Sequence, residues 1–175
     1  YLEVSDNMTV SIGQDFANRS NLYVGHTQGR GESDEMAKGT VIGNGADFSL
    51  HLGNFWVGEN DHGGNIASAE GTLDLSGVSG GTVRTYGNET RIGFGREASG
   101  QVDFSSTLSS VQIGSDTGDD GSPAQLYIGR SNGRNTGTVT TTGTVNANGA
   151  TFSGYLYNFH VGTHNRGVDD GGSAT

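Results

Sequence analysis

Five residues of unlike chemistry hold one recurring place in this chain. Tyr23, Trp56, Arg91, Tyr127 and His160 each precede a Val or Ile that is followed by Gly. Aromatic rings, a guanidinium and an imidazole in one column would stack, with cation–π contacts of about 0.5–1 kcal/mol where exposed. Such a column suits sugar rings or a neighbouring protein surface; the alternative is that loops lie over it and it only supports them. A second set is acidic. Asp74 and Asp103 follow Gly71-Thr72-Leu73 and Gly100-Gln101-Val102. Equivalent atoms one coil apart would lie about 5 Å from each other. Carboxylates at that spacing serve acid–base work on glycosides or hold a cation; two solvated charges are the plain alternative. Glu3, Ile42 and Thr140 are expected in the same column.

The segment SDTGDDG at 115–121 offers Asp116, Asp119 and Asp120 as calcium ligands. It has neither the EF-hand spacing nor the glycine-rich calcium nonapeptide. Calcium is therefore the one cofactor left open, against a solvated acidic edge that also includes GESDE at 31–35 and ENDHGG at 59–64. The five His, with no Cys, have no zinc-site spacing. No Ser-His-Asp set, phosphate loop or dinucleotide fingerprint stands in a suitable context. No catalytic residue is assigned, and the chain is not read as an enzyme.

What must position these residues is a repeat. The mark x-Val/Ile-Gly ends at Gly25, Gly58, Gly93, Gly129 and Gly162, about 33–36 residues apart. It defines a strand A. A polar loop follows, then a strand B at Gly39-Thr40-Val41, Gly71-Thr72-Leu73, Gly100-Gln101-Val102 and Gly137-Thr138-Val139. A strand C precedes the next A, at Val10–Ile12, Leu50–Leu52 and Val111–Ile113, and less clearly near Val83–Tyr86 and Phe152–Tyr157. All three alternate apolar and polar residues, the signature of a strand with one buried face. Three short strands cannot bury those faces alone, but stacked coils can. The expected fold is all-β: a parallel β-helix of three short strands per coil and about five coils, a single segment over 1–175.

GADFSLHLGNFWVG at 45–58 nearly recurs as GATFSGYLYNFHVG at 149–162. The repeat predicts inward pairs Phe48/Phe152, Leu52/Leu156, Phe55/Phe159 and Val57/Val161. Asn54, Asn88 and Asn158 fall just before strand A, where stacked amides would form a ladder; Asn as a simple turn residue is the other reading.

Composition agrees with this fold and excludes several functions. Gly is 32 of 175 residues with one Pro, which removes collagen, and the apolar residues are clustered rather than sparse. The formal charge is −10, which argues against a nucleic-acid partner. No apolar run has the length of a membrane helix, so no membrane insertion is expected in this segment.

The motifs LYVG…GTV, FWVG…GTLDLSG and LYIG…GTVTTTG resemble the repeats of bacterial autotransporter passengers and related pectin-lyase-like proteins. That resemblance implies a right-handed β-helix, exported to the cell surface or beyond. It implies an adhesin, stalk or fibre, and less often a polysaccharide lyase or hydrolase or a glycan-binding module. The chain starts inside one strand B and stops where another should begin, with no caps. It is therefore expected to belong to a longer solenoid or to stack end to end or laterally with copies of itself, with glycans as further partners.

Overall fold

The computed structural model describes residues 1–27, 36–60, 68–86, 89–115, 122–131, 140–163 and 171–174. Among them every regular element is a strand. The chain enters on β1 (Leu2–Val4) and then makes repeated passes of C, A and B. The first is β2 (Thr9–Ile12), β3 (Ser20–Thr27) and β4 (Met36–Asn44). The second is β5 (Asp47–Asn60), which runs through C and A without a break, and β6 (Ser68–Gly77). The third is β7 (Gly80–Thr85), β8 (Glu89–Gly95) and β9 (Ala98–Asp103); the fourth is β10 (Ser110–Ile113), β11 (Ala124–Ser131) and β12 (Thr140–Asn146). The last is β13 (Phe152–Gly154), β14 (Leu156–Val161) and β15 (Gly171–Ala174).

All pairings are parallel and join one pass to the next. The B strands form a six-stranded sheet, β1-β4-β6-β9-β12-β15. The C and A strands share one nine-stranded sheet. In β5 the two run on without a break, elsewhere a connection separates them, and the ladder register shifts near the start of A, between Ser20 and Leu22 and between Ala124 and Gln125. The chain is thus a parallel β-solenoid whose apolar alternation faces the space between two sheets. Phe48, Leu50, Leu52, Phe55, Val57, Leu73, Val83 and Val102 are buried there. The second, third and fourth passes have neighbours on both sides and carry most of this core. At the two ends the inward residues are open: Leu2 is 53%, Phe159 60% and Val161 47% exposed. The closed solenoid is therefore about three turns, fewer than the five coils expected, because a coil covered on one side only does not complete its core.

Glycine joins the two sheets. Gly58 has φ +64°, and a Cβ there would run into the Ser99 carbonyl. A Cβ on Gly71 would run into the Gly58 nitrogen and the Val24 carbonyl. The Gly that ends mark A and the Gly that begins mark B are thus the two sides of one backbone-on-backbone contact. Beyond it small side chains are buried, including Ala69, Ala98, Ser131 and Thr141. Thr141 Oγ1 donates to the Gly95 carbonyl at 2.8 Å, and Asn60 Nδ2 to the Arg96 carbonyl at 2.7 Å.

Three expected registers differ. In the fourth pass the B strand aligned with Gly100 and Val102 is Gly143-Thr144-Val145. The GTV at 137–139 lies outside the described residues. Two GTV triplets follow Gly129, and the later one meets the preceding B strand. Phe152 pairs with Val111, itself beside Val83 and so in line with Leu50 rather than Phe48. Leu156 pairs with Ala124, not in the Leu52 line. The A half of the near-duplicate keeps its register: Phe55, Thr90, Leu126 and Phe159 follow one another, as do Val57, Ile92, Ile128 and Val161.

Candidate functional site

Ladder register brings Tyr23, Trp56, Arg91, Tyr127 and His160 into one outward column on the A strands. Tyr23 and Trp56 have ring centroids 4.7 Å apart, and Tyr127 and His160 5.1 Å. The Arg91 guanidinium lies 4.7 Å from the Trp56 centroid and 4.2 Å from that of Phe94. Phe94 belongs to a second column, His26, Glu59, Phe94 and Arg130, placed just after the A glycines. A left-handed glycine interrupts the alternation, so the residue after it falls on the same side as the residue before Val or Ile. His26 accordingly meets Trp56 edge to face, with centroids 5.1 Å apart, and the Arg130 guanidinium lies 4.4 Å from the Tyr127 centroid.

The two columns neutralise themselves. Glu59 is fully buried. Its Oε1 accepts from Arg91 Nη1 at 2.6 Å, and its Oε2 lies 2.8 Å from His26 Nε2. Arg91 Nη2 reaches Glu89 Oε2 at 2.5 Å. A carboxylate in this setting is tolerable because the Arg91 guanidinium holds one oxygen and the His26 ring lies against the other. The column points away from the core but is not open: Tyr127 is 4% exposed, and of the five Tyr23, at 41%, is the one that is largely exposed. Its chemistry is spent on its own members.

Among the described residues the amides before strand A do not form an Asn-on-Asn stack. Asn54 donates its backbone N–H to Asn21 Oδ1 at 2.9 Å, and its Nδ2 to the Tyr23 hydroxyl at 3.3 Å. Asn158 stands beside Gln125, and Gln125 beside Glu89. Asn88 lies outside the described residues. Glu89 pairs on the ladder with Gln125, so an acid stands where an amide was expected, and that acid serves Arg91.

The B face is of another kind. Glu3, Ile42, Asp74 and Asp103 share a column as expected, but its next member is Asn146 and not Thr140, which follows from the register of Gly143. Asp103 accepts from Asn146 Nδ2 and, at 2.6 Å, from Gln101 Nε2. Asp74 accepts from the Ser76 backbone and hydroxyl at 2.9 and 2.6 Å. The one cation among the described residues of these B strands is Lys38, bound to Glu70 at 2.7 Å. Asp116, Asp119 and Asp120 lie outside the described residues. Among the described residues no group of three His, Asp or Glu is placed to hold a metal.

A third cluster sits on the outer C face and its corner toward A. His51, Arg84 and Gln112 are consecutive ladder partners. His51 Nδ1 and the Tyr86 hydroxyl share a hydrogen bond of 2.6 Å, and Arg84 lies 4.8 Å from the Tyr86 centroid. Phe16 packs 5.9 Å from Tyr86, and Arg19 lies 4.5 Å over Phe16. Asp15 is nearby; the Asn18 backbone N–H, at 2.8 Å, holds its carboxyl below the usual carboxylate range. Sequence marks missed this cluster because half of it comes from the irregular 14–19 connection. The available signal was His51, an outward ring inside mark C.

No protein-family model, curated protein or solved structure matches the chain. Among the described residues no helix is long and apolar enough to cross a membrane.

Proposed function

We propose that this chain is a segment of an exported bacterial β-solenoid with a structural or adhesive role at or beyond the cell surface. The observation that carries this reading is the B face. Asp74 and Asp103 are ladder neighbours, the spacing that acid–base work on a glycoside would need. Yet three of their four oxygens already accept hydrogen bonds, Asp74 Oδ1 from Ser76 and both Asp103 oxygens from Gln101 and Asn146. Beside them stand Thr, Ser and Gln on even rungs. That is the surface of a scaffold. The motif resemblance to autotransporter passengers points the same way and supplies the extracellular setting. Partners on this reading are further coils of the same kind, in a longer parent chain or in copies stacked end to end or side by side. Calcium in the acidic segment 115–121 would be an accessory to it.

Electron microscopy of the native assembly tests the proposal, with a rod, stalk or fibre as the expected image. Cleavage of an acidic polysaccharide by the purified chain, lost on Asp74→Ala, would overturn it in favour of an enzyme of the same fold.

A further inference from the structure

Each copy of the near-duplicate, 45–58 and 149–162, has an asparagine directly before its first glycine: Asn44-Gly45 and Asn148-Gly149. Asn followed by Gly is the pair in which the backbone can attack a side-chain amide, because no Cβ on the second residue hinders the approach. The fold sets the two pairs differently. Asn44 ends β4 and pairs on the ladder with Gly77. The Gly45 N–H donates to the Gly77 carbonyl at 2.7 Å. Gly45 is also packed against an acid, since a Cβ there would run into the Asp6 carboxylate. A nitrogen so bonded, in a residue covered by a carboxylate, gives up its proton reluctantly.

Asn148 and Gly149 lie in the connection between β12 and β13, both exposed. The Ala150 N–H donates to the Ala147 carbonyl at 2.8 Å, and the two residues between are left-handed, with φ of 47° and 82°. This is the tight turn that favours Asn-Gly. Among the described residues nothing accepts from the Gly149 N–H. Asn148 Nδ2 donates to the Phe104 carbonyl at 3.0 Å, a single bond at the surface that water can replace. Rotation of that side chain brings Cγ to the Gly149 nitrogen.

We infer that Asn148-Gly149 is a site of spontaneous covalent modification, where the chain converts its own asparagine to isoaspartate and aspartate, while Asn44-Gly45 is shielded by the fold. The Gly149 nitrogen loses its proton to hydroxide and attacks Asn148 Cγ. The N–Cγ bond forms, the Cγ–Nδ2 bond breaks, and the nitrogen leaves as ammonia after taking a proton from water. A second water opens the five-membered imide at either carbonyl. Attack at one gives aspartate; attack at the other gives isoaspartate, with one more carbon in the backbone. No oxidant, reductant or cofactor takes part. The product has a carboxylate where Nδ2 donated to the Phe104 carbonyl, and in the isoaspartate a longer turn. Both changes fall on the link that carries the chain into its last pass. This inference does not depend on the surface role proposed above.

Peptide mapping by mass spectrometry tests it on the unaltered chain, held in mildly alkaline buffer either folded or in urea. Labelling by an isoaspartyl methyltransferase identifies the isoaspartate. In the folded chain, conversion at 148 is expected to outrun that at 44 by about tenfold or more, the difference set by the Gly45 hydrogen bond. In urea the two should convert at similar rates, because both are Asn-Gly pairs once the fold is gone. Asn148→Ser should abolish the label from its peptide, and circular dichroism checks that this variant is folded; the rates at 44 and 148 in the unaltered chain decide the matter if it is not. Equal conversion at 44 and 148 in the folded chain overturns the inference. So does an Asn148 that converts in urea and stays intact when folded. Aspartate at 148 without isoaspartate would mean direct hydrolysis rather than backbone attack, and a persistent difference between the two sites in urea would mean that the fold is not what shields Asn44; either also overturns it. Microscopy of the assembly reads none of these quantities, so this inference and the scaffold reading fail separately.

Discussion

The outer faces of the A and B ladders rest on the same core and have become opposite kinds of surface. On B, the outward residues are mostly polar, Ile42 being the exception, and water reaches them. On A, the outward residues are rings and guanidiniums, and they cover one another until Glu59 is fully buried and Tyr127 nearly so. Two features make the difference. Large side chains at a rung spacing of about 4.8 Å must stack. The left-handed A glycines also place a second residue on the same side, which doubles the side-chain mass there. The A face is thus a second, charged core outside the first, and a ligand would have to displace its internal partners. The B face lacks such anchors.

The contrast breaks most completely if the shared floor is removed. Val57 is fully buried beneath the A column, and Val57→Asp puts an unpaired charge among apolar side chains. The expected cost is several kcal/mol, a large share of a domain's usual stability of about 5–15 kcal/mol. Loss of the cooperative urea transition would register it. A variant that melts like the parent would mean that the assigned inward face is wrong.

Next in size is the test of the A face itself. Glu59→Ala removes the carboxylate that lies against both His26 and Arg91, while Glu89 stays on Arg91. Removing one member of a buried charge network typically costs about 3–5 kcal/mol, and the lower end is expected because Glu89 remains. Denaturant titration of this variant beside Asp103→Ala gives the comparison directly. Equal losses would show that the A column is no more a core than the B face.

The sequence made one side of this comparison readable and hid the other. Alternation tells which side of a strand a residue leaves from, so the Tyr23-to-His160 column and the Glu3-to-Asp103 column both appear where the marks put them. It does not tell how much covers that side, and so burial of the A column was invisible. The second column escaped because Gly25, Gly58, Gly93 and Gly129 break the period of two; His26, Glu59, Phe94 and Arg130 were still legible as a set one place after each Gly. Strand C was the least readable. Its copies slide by two residues, which preserves the alternation while changing every partner, as for Phe152 against Leu50 rather than Phe48. In the fourth pass two GTV triplets compete, and only pairing with Gly100 and Val102 selects Gly143-Thr144-Val145.

A gain rather than a loss is expected just under the A face. Thr90 stands in the inward column between Phe55 and Leu126, 1% exposed, and its hydroxyl has no partner among the described residues. It borders a small apolar void lined also by Ile92, Phe104 and Phe152. A buried orphan hydroxyl costs about 1–3 kcal/mol. Thr90→Val removes it with little change of volume. A stabilisation of about 1 kcal/mol is expected, seen as a melting temperature higher by about 2–4 °C for a chain of this size. A lower melting temperature would mean that the hydroxyl has a use, and that the break in the apolar column there is more than a packing defect.

The smallest effect belongs to the B face, and it is the one that separates scaffold from enzyme. Asp74 sits in an intermediate position, and its hydrogen bonds to Ser76 are local, two residues away. Local bonds of that kind exchange readily with water, so Asp74→Ala should change stability by no more than about 0.5 kcal/mol. The rung beneath is unaffected, because Asp103 is held by Gln101 and Asn146 and not by Asp74. Asp74→Ala and Asp103→Ala should therefore be additive within about 0.3–0.5 kcal/mol in a double-mutant cycle. A coupling well above that would mean that the two carboxylates are strained against each other, as a catalytic pair would be. Additivity would leave them as two hydrated charges on a flat ladder, which is the state the proposed scaffold requires.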